Sequence, residues 1–248
     1  MSRHFLDLEG AQTMNTQQFA SVQARVREVC SRQAMAAVYG EAGLGKTFAV
    51  ERAVRKVTEL PHIWLEFPSD PSPRYVAAKL LQALTGVRQD DTLYRLTDEL
   101  LELFAEEPRV VVVDEAQHLR YRAVEYIRHL WDERETQVTV IFVGGNGCWD
   151  VLSKHPMLEA RIWRPVQLQP LTPEQVLKLI PKYHPVYEGC DTALIETVDD
   201  RFAHGNFRKW AAFTATAADI CAERKLDKID TAVVENGFWR HGGGTVDA

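Results

Sequence analysis

The sequence has few of the features that mark secreted, membrane-spanning or metal-binding proteins. Its 248 residues contain no apolar run that approaches the roughly 20 residues of a membrane-spanning helix. The first residues also lack the apolar core of a signal peptide. The four cysteines are far apart, with neither C-x-x-C nor His/Cys metal spacing: Cys30, Cys148, Cys190 and Cys221. We therefore expect reduced thiols in a cytoplasmic protein that has no membrane partner.

The sequence also lacks a net positive charge. The formal net charge is −6 and the sequence pI is about 5.8, which argues against a protein that coats nucleic acid by bulk charge. Any contact with DNA must then come from a local basic patch. The apolar fraction of 46% is that of an ordinary globular protein, and the length allows an α/β core with a smaller satellite domain.

The most informative stretch present is a glycine-rich loop. It matches the phosphate-binding pattern G-x-x-x-x-G-K-[ST] at every fixed position: Gly40, Gly45, Lys46 and Thr47. The apolar run Met35–Tyr39 predicts a strand before it, and a helix is predicted to open at Phe48. Lys46 would reach the outer phosphates and the Thr47 hydroxyl would hold magnesium. A chance glycine-rich turn is the alternative, but the strand–loop–helix context favours nucleoside triphosphate binding.

A second candidate segment ends in adjacent carboxylates. Four valines precede Asp114 and Glu115, and a run that is apolar on both faces predicts a central parallel strand. Asp114 would hold magnesium through water, and Glu115 would orient and activate the attacking water. An acidic helix cap is the alternative reading. Asn146 follows the next predicted strand, Val138–Val143, and could orient the same water, although alone it would be an ordinary turn residue.

Three arginines are candidates for charge stabilisation. Arg161 and Arg164 lie at the far end of the predicted core, where either could act in trans on a neighbouring subunit's nucleotide. Surface salt bridges are the alternative for both. Arg208 opens a later helix and could reach back to the phosphates, unless it only solvates that helix.

The order of predicted elements indicates two domains. Strands alternate with helices up to about Leu171, and from the predicted cap Thr172 onward every predicted element is a helix. The fold class is therefore α/β, with a parallel sheet sandwiched by helices and followed by a small all-helical domain. The predicted divisions are an N-terminal arm (1–15), the nucleotide-binding core (16–171), the helical domain (172–240) and a flexible tail (241–248).

Together these motifs resemble the AAA+ ATPases from about Thr13 to Phe238. In that resemblance Gly40–Thr47 is Walker A, Val110–Glu115 is Walker B and Asn146 is sensor 1. Arg161 or Arg164 is similar to the arginine finger, and Arg208 is similar to sensor 2 of a helical lid. The resemblance implies ATP and Mg²⁺ as cofactors, with Lys46, Glu115, Asn146, Arg161 and Arg164 catalytic and Thr47 and Asp114 at the metal. The implied nucleotide contacts are Gly40, Glu41, Ala42, Gly43, Leu44, Gly45, Lys46, Thr47, Phe48, Asp114 and Arg208.

Within that class the details look most like the transposition ATPases of the Mu B, TniB and TnsC group. The similar segments are residues 35–47, the run Asp114–Leu119 and the turn Gly144–Asn146. The resemblance implies a homo-oligomer, a ring or helical filament formed with ATP on duplex DNA. It also implies target-site selection and activation of a transposase partner.

The candidate DNA contacts follow the Walker B strand: Arg120, Tyr121, Arg122 and Arg128. Such side chains would contact phosphates from successive protomers, although a solvated helix face is the alternative for any one arginine. Two other functions stay open at this point. One is an ATPase that acts on a protein partner in secretion or assembly. The other is a nucleotide-gated scaffold with little turnover.

Overall fold

Residues 8–242 are described by the computed structural model, and they divide into two compact units. The α/β unit consists of Gln17–Ala42 and Lys46–Leu168. The helical unit combines residues 8–16, Gly43–Gly45 and 169–242. The predicted arm (1–15) and the predicted tail (241–248) lie partly outside the described residues. The predicted domain boundaries stay predictions.

The α/β unit is built on a five-stranded parallel sheet in the order β2-β3-β4-β1-β5. The strands are β1 (Met35–Gly40), β2 (His62–Glu66), β3 (Arg109–Asp114), β4 (Val138–Gly144) and β5 (Val166–Leu168). The predicted parallel α/β sheet is thereby confirmed. β3 is an interior strand, as predicted, because it pairs with β2 on one side and β4 on the other. A valine run shows only that both faces are covered, since it does not report how many strands lie on each side.

Seven helices belong to the α/β unit: α1 (Gln17–Arg32), α2 (Lys46–Val57), α3 (Pro73–Thr85), α4 (Leu93–Glu106), α5 (Tyr121–Asp132), α6 (Cys148–Ser153) and α7 (Pro156–Glu159). Apolar side chains of α3, α4 and α5 pack on Val111 and Val113 of β3 in one buried cluster. α4 begins at Leu93. Its cap is Thr92, whose hydroxyl accepts from the Arg95 N–H, so Asp91 stays outside the helix.

The helical unit contains α8 (Pro173–Leu179), α9 (Thr192–Val198), α10 (Phe207–Arg224) and α11 (Thr231–Arg240). α8 changes to a 3₁₀ turn at Ile180–Lys182, where Pro181 has no N–H to donate. α9 continues into a π-helical turn at Asp199–Ala203. Across residues 8–242, no helix is both long and apolar enough to cross a bilayer.

The described part of the N-terminal segment packs within the helical unit. The Gln12 N–H donates to the Tyr183 carbonyl at 2.7 Å, and the His184 Nε2 lies 2.8 Å from the Glu9 carbonyl oxygen. Ala11 and Met14 contact the apolar core of the same unit. Residues 8–14 are therefore held by backbone hydrogen bonds and by apolar contacts.

Gly205 allows the turn that precedes α10. Its φ is +69°, and an added Cβ would lie 2.2 Å from the Leu171 carbonyl oxygen. The buried Asp199 carboxylate accepts from both the Gly205 N–H at 2.7 Å and the Trp210 indole N–H at 3.0 Å. The turn therefore has neither room for a side chain nor freedom to move.

Gly205→Ala is expected to lower the free energy of unfolding by about 2–5 kcal/mol, because left-handed strain adds to steric overlap. Gly189→Ala is the matched control in the same unit. Its φ is +64°, and the nearest atom to an added Cβ is the Lys228 Nζ at 4.0 Å, so only about 1–2 kcal/mol of strain is expected. Chemical denaturation measures both changes. Equal losses would contradict the close approach to Leu171.

Candidate nucleotide-binding site

The glycine-rich loop begins where β1 ends. Gly40 pairs with Leu168 of β5, and an added Cβ at Gly40 would lie 2.4 Å from the Leu168 carbonyl oxygen. Gly40, Gly43 and Gly45 have φ values of +147°, +83° and +77°. Non-glycine residues rarely adopt these angles, which let backbone N–H groups face into the loop as an anion-binding nest. The backbone conformation of the loop therefore explains why these positions are glycines.

Thr47 and Asp114 meet although they are 67 residues apart. The Thr47 hydroxyl donates to Asp114 Oδ2 at 3.0 Å, and the Trp64 indole N–H donates to the same oxygen at 3.3 Å. The Glu115 N–H donates to Oδ1 at 2.9 Å. Burial raises the pKa of Asp114, and these three hydrogen bonds oppose that shift. A hydroxyl and a carboxylate side by side are the hard oxygen ligands that suit Mg²⁺, so the residues fit the predicted metal.

Lys46 is the first residue of α2, and its ammonium group donates to the Glu41 carbonyl at 2.7 Å. The positive charge therefore lies over the loop that the glycines shape. Cys148 is also close enough for the Lys46 charge to act on it, but burial raises the pKa of this thiol to about 12. A protonated, buried thiol is a poor nucleophile, so we assign no chemistry to Cys148.

Glu115 has a left-handed backbone conformation at φ +50° and ψ 41°. Non-glycine residues pay a strain cost there, and such strain is concentrated at functional sites. The Gln117 side-chain N–H donates to Glu115 Oε2, and Gln117 Oε1 accepts from the Gly145 N–H at 2.8 Å. Asn146 is exposed on the same turn after β4. Glu115 is thus tied to the turn that carries Asn146.

Sequence reasoning missed Gln117 and Trp64. Trp64 is two residues before the end of β2 and Asp114 is at the end of β3, so its contact with Asp114 depends on the pairing of β2 with β3. An indole N–H within an apolar run could have been flagged as a buried donor that needs a partner. Gln117 had no comparable signal, because its partner Gly145 is distant in the chain.

The two arginines predicted to act in trans have different surroundings. Arg161 donates to Asp132 Oδ1 and to the Met157 carbonyl, each at 2.7 Å. Arg164 is exposed, has a φ of +43°, and places its guanidinium carbon 5.3 Å from the ring centre of Trp163. The Arg32 guanidinium lies 5.2 Å from the same ring. Arg161 is therefore hydrogen-bonded within its own chain, whereas Arg164 is exposed and its guanidinium lies against the Trp163 ring.

Arg208 opens α10 in the helical unit. Its backbone N–H donates to the Gly43 carbonyl at 3.0 Å and to Asn206 Oδ1 at 3.1 Å. Its side chain is exposed. Asn206 also accepts from the Lys209 N–H, and a Cβ added at Gly43 would meet Asn206 Oδ1 at 2.4 Å. Gly43 and the start of α10, which belong to the same unit, are therefore in contact. Asn206 is a further residue that the sequence did not single out.

The four predicted DNA contacts do not share the same surroundings. Arg128 bonds to Glu125 and Asp132, and only 17% of its side chain is exposed. Because two carboxylates already neutralise its charge, Arg128 is a poor candidate for contact with DNA. Tyr121 instead packs on His155, with ring centres 4.6 Å apart.

That ring contact brings two basic segments together. Arg120 and Arg122 flank Tyr121, and Lys154 precedes His155, and all three basic side chains are exposed. Arg120 is 3.5 Å from Asp70, whereas no ion pair of Arg122 or Lys154 is found among residues 8–242. We call Arg120, Tyr121, Arg122, Lys154 and His155 the basic surface.

Comparison with known proteins identifies the family to which the fold and the glycine-rich loop belong. Residues 27–152 match the family described as AAA domain, and the chain belongs to this family of P-loop proteins. A Staphylococcus aureus protein described as "Potential ATP-binding protein" is 29% identical over 133 residues, covering 51% of this chain. The chain spans only about half of that relative, 48% of its length.

Solved structures of similar fold cover nearly the whole chain. Aeropyrum pernix ORC2 with ADPNP and ADP has a TM-score of 0.69 at 14% identity, covering 95% of this chain and 71% of its own. Aeropyrum pernix ORC1 in complex with DNA has a TM-score of 0.69 at 17% identity, covering 96% and 68%. The Thermotoga maritima RuvB Holliday junction branch migration motor has a TM-score of 0.63 at 13% identity, covering 92% and 70%. At these identities the likeness shows the fold alone, a parallel α/β core with a C-terminal helical region.

Proposed function

We propose that this protein is an ATPase that binds ATP and Mg²⁺ and assembles on duplex DNA. Its role is to select target sites for a transposase or to activate one. The observation that carries the ATPase part is the meeting of Thr47, Asp114 and Glu115 beside the glycine-rich loop. The family match and the relative described as potentially ATP-binding also support it.

Each residue of this group has a definite part in the proposed reaction. Lys46 would exchange its hydrogen bond with the Glu41 carbonyl for bonds to the outer phosphates. Thr47 and Asp114 would hold the magnesium ion. When bound, magnesium neutralises charge on the phosphates. Glu115 accepts a proton from the attacking water, and Asn146 is placed to orient that water.

Arg164 is our proposed trans-acting residue. An arginine that completes the active site of a neighbouring subunit must be exposed and must not form ion pairs within its own subunit. Its side chain must also be kept in one orientation. Arg164 meets these conditions through its exposure and its stacking on Trp163. Arg161 would have to give up two hydrogen bonds to do the same. Assembly would then be needed for full turnover.

The basic surface supports the DNA part of the proposal. Exposed arginine and lysine side chains around a tyrosine–histidine pair suit contact with a phosphate backbone. The net charge of −6 confines DNA contact to such a local patch. The structurally similar ORC1 was solved with DNA. The transposase partner rests on the resemblance of the motif segments to the Mu B, TniB and TnsC group.

The joint replacement of Arg122 and Lys154 by alanine is expected to weaken binding to a DNA duplex of random sequence by about 10-fold. The slope of log K against log salt concentration should fall by about 2, because two phosphate contacts are lost. Fluorescence anisotropy at several salt concentrations, with a non-hydrolysable ATP analogue, measures both quantities. The charge-matched control is Arg55→Ala with Lys56→Ala, at an exposed end of α2, and should bind DNA as the wild type does.

Electron microscopy of the same samples tests assembly. Rings or filaments that require both the analogue and duplex DNA are expected for the wild type. If no DNA-dependent oligomer forms at low salt, the transposition proposal is lost. An ATPase that acts on a protein partner then takes its place.

A nucleotide-gated scaffold with little turnover is the alternative to the ATPase. A wild-type protein that binds ATP without measurable turnover, with or without DNA, would favour this candidate over the ATPase.

A further inference from the structure

Gln117 makes two hydrogen bonds that together span the candidate site. Its amide nitrogen donates to the Glu115 carboxylate, and its amide oxygen accepts from the backbone N–H of Gly145 at 2.8 Å. Glu115 follows β3, whereas Gly145 follows β4, the neighbouring strand in the sheet. One half-buried side chain therefore links the ends of two adjacent strands.

The surroundings of Gln117 leave it little freedom. It lies in the 3₁₀ turn Ala116–His118, which the His118 N–H closes by donating to the Glu115 carbonyl at 2.9 Å. On the β4 side, a Cβ added at Gly144 would lie 2.7 Å from Gln117 Oε1 and 2.6 Å from Cys148. The amide thus lies between its own turn and the turn after β4, and it makes one hydrogen bond to each side.

An amide suits this position because it donates and accepts at the same time. A carboxylate could accept from Gly145 but could not donate to Glu115, and an apolar side chain could do neither. The backbone of Glu115 is in the strained left-handed conformation. A hydrogen bond from another side chain therefore helps to keep its carboxylate in one orientation. Asn146 is the next residue after Gly145. A movement of the turn that carries Asn146 would therefore be transmitted to Glu115 through Gln117.

We propose that Gln117 is a positioning residue that orients the Glu115 carboxylate and couples it to the turn carrying Asn146. The inference rests on the proposed ATPase function for its kinetic consequence. The hydrogen-bonded link itself belongs to the chain's own residues and can be tested without nucleotide.

The kinetic test uses Gln117→Met, which removes both bonds, and Gln117→Glu, which keeps the acceptor for Gly145 alone. Both are expected to lower kcat by about 10- to 100-fold while the Kd for a fluorescent ATP analogue changes less than about 3-fold, because orientation and not binding is lost. Gln82→Glu is the charge-matched control on α3, where Gln82 accepts from Lys79, and should leave kcat unchanged. An unchanged kcat in both Gln117 variants overturns the proposal.

A double-mutant cycle separates positioning from a general structural role. If Gln117 acts through Glu115, adding Gln117→Met to Glu115→Gln should lower kcat by less than about 2-fold, because coupled residues are not additive. A full, additive loss in the double variant overturns the proposal.

Amide hydrogen exchange in the nucleotide-free protein tests the link directly. The Gly145 N–H should exchange about 10-fold faster in Gln117→Met than in the wild type, and Gln117→Glu should stay close to the wild type because its acceptor remains. Equal protection in all three proteins overturns the link even if the wild type hydrolyses ATP. If the wild type shows no turnover, hydrolysis fails as a function, while this exchange result still decides the coupling.

Discussion

Replacing Lys46 by alanine is expected to weaken ATP binding by about 100-fold or more, equivalent to roughly 3 kcal/mol. The ammonium group lies at the start of α2 and donates to the Glu41 carbonyl at 2.7 Å. It is therefore held over the glycine-rich loop before any phosphate arrives. An alanine would leave the backbone N–H groups as the main phosphate donors and would remove the positive charge.

Equilibrium titration with a fluorescent ATP analogue measures this loss. Lys56→Ala is the matched control, because Lys56 lies on the same helix, is exposed and carries the same charge. Its affinity should equal that of the wild type. Unchanged affinity in Lys46→Ala would refute the assignment of Gly40–Thr47 as the triphosphate site.

Glu115→Gln is expected to lower ATP turnover by about 100- to 10,000-fold, the range for loss of a general base. The nucleotide affinity should stay within about 3-fold of the wild type, because the change removes a proton acceptor and keeps the size of the side chain. Steady-state phosphate release and equilibrium binding measure the two quantities separately.

The control for this variant is Glu102→Gln, an exposed position on α4 that makes the same charge change. It should keep wild-type turnover. A Glu115→Gln protein that turns over ATP at the wild-type rate would rule out Glu115 as the base. A loss of affinity equal to the loss of turnover would assign Glu115 to binding instead.

The fold was predictable to a large extent because its signals are local. The four valines of β3 and the run 138–143 of β4 are buried on both sides, as a parallel sheet between helices requires. Thr172 and Pro173 mark the start of α8. The Thr172 hydroxyl accepts from the Gln175 N–H, and the Gln175 side-chain oxygen accepts from the Thr172 N–H. Such signals lie within a few residues, so the sequence shows them directly.

The charged residues were less predictable. Arg128 and Arg161 look in the sequence like any other exposed arginine. In the structure both bond to Asp132, Arg128 within α5 and Arg161 from 29 residues away. Whether an arginine is neutralised depends on the direction of its side chain and on partners from other elements. This decides which arginines are available to DNA or to a neighbouring subunit.

By itself the sequence determined the glycine-rich loop, the acidic end of β3 and the alternation of strands and helices. These features depend on backbone preferences and on the periodicity of apolar residues, and both are properties of residues that are close together in the chain. Only the tertiary structure decided that Thr47 and Trp64 both bond to Asp114, and that Gln117 links Glu115 to Gly145. The contacts of Trp64 and Gln117 follow from the order β2-β3-β4-β1-β5, in which β3 lies between β2 and β4. Thr47, which follows β1, reaches Asp114 although β4 separates β1 from β3.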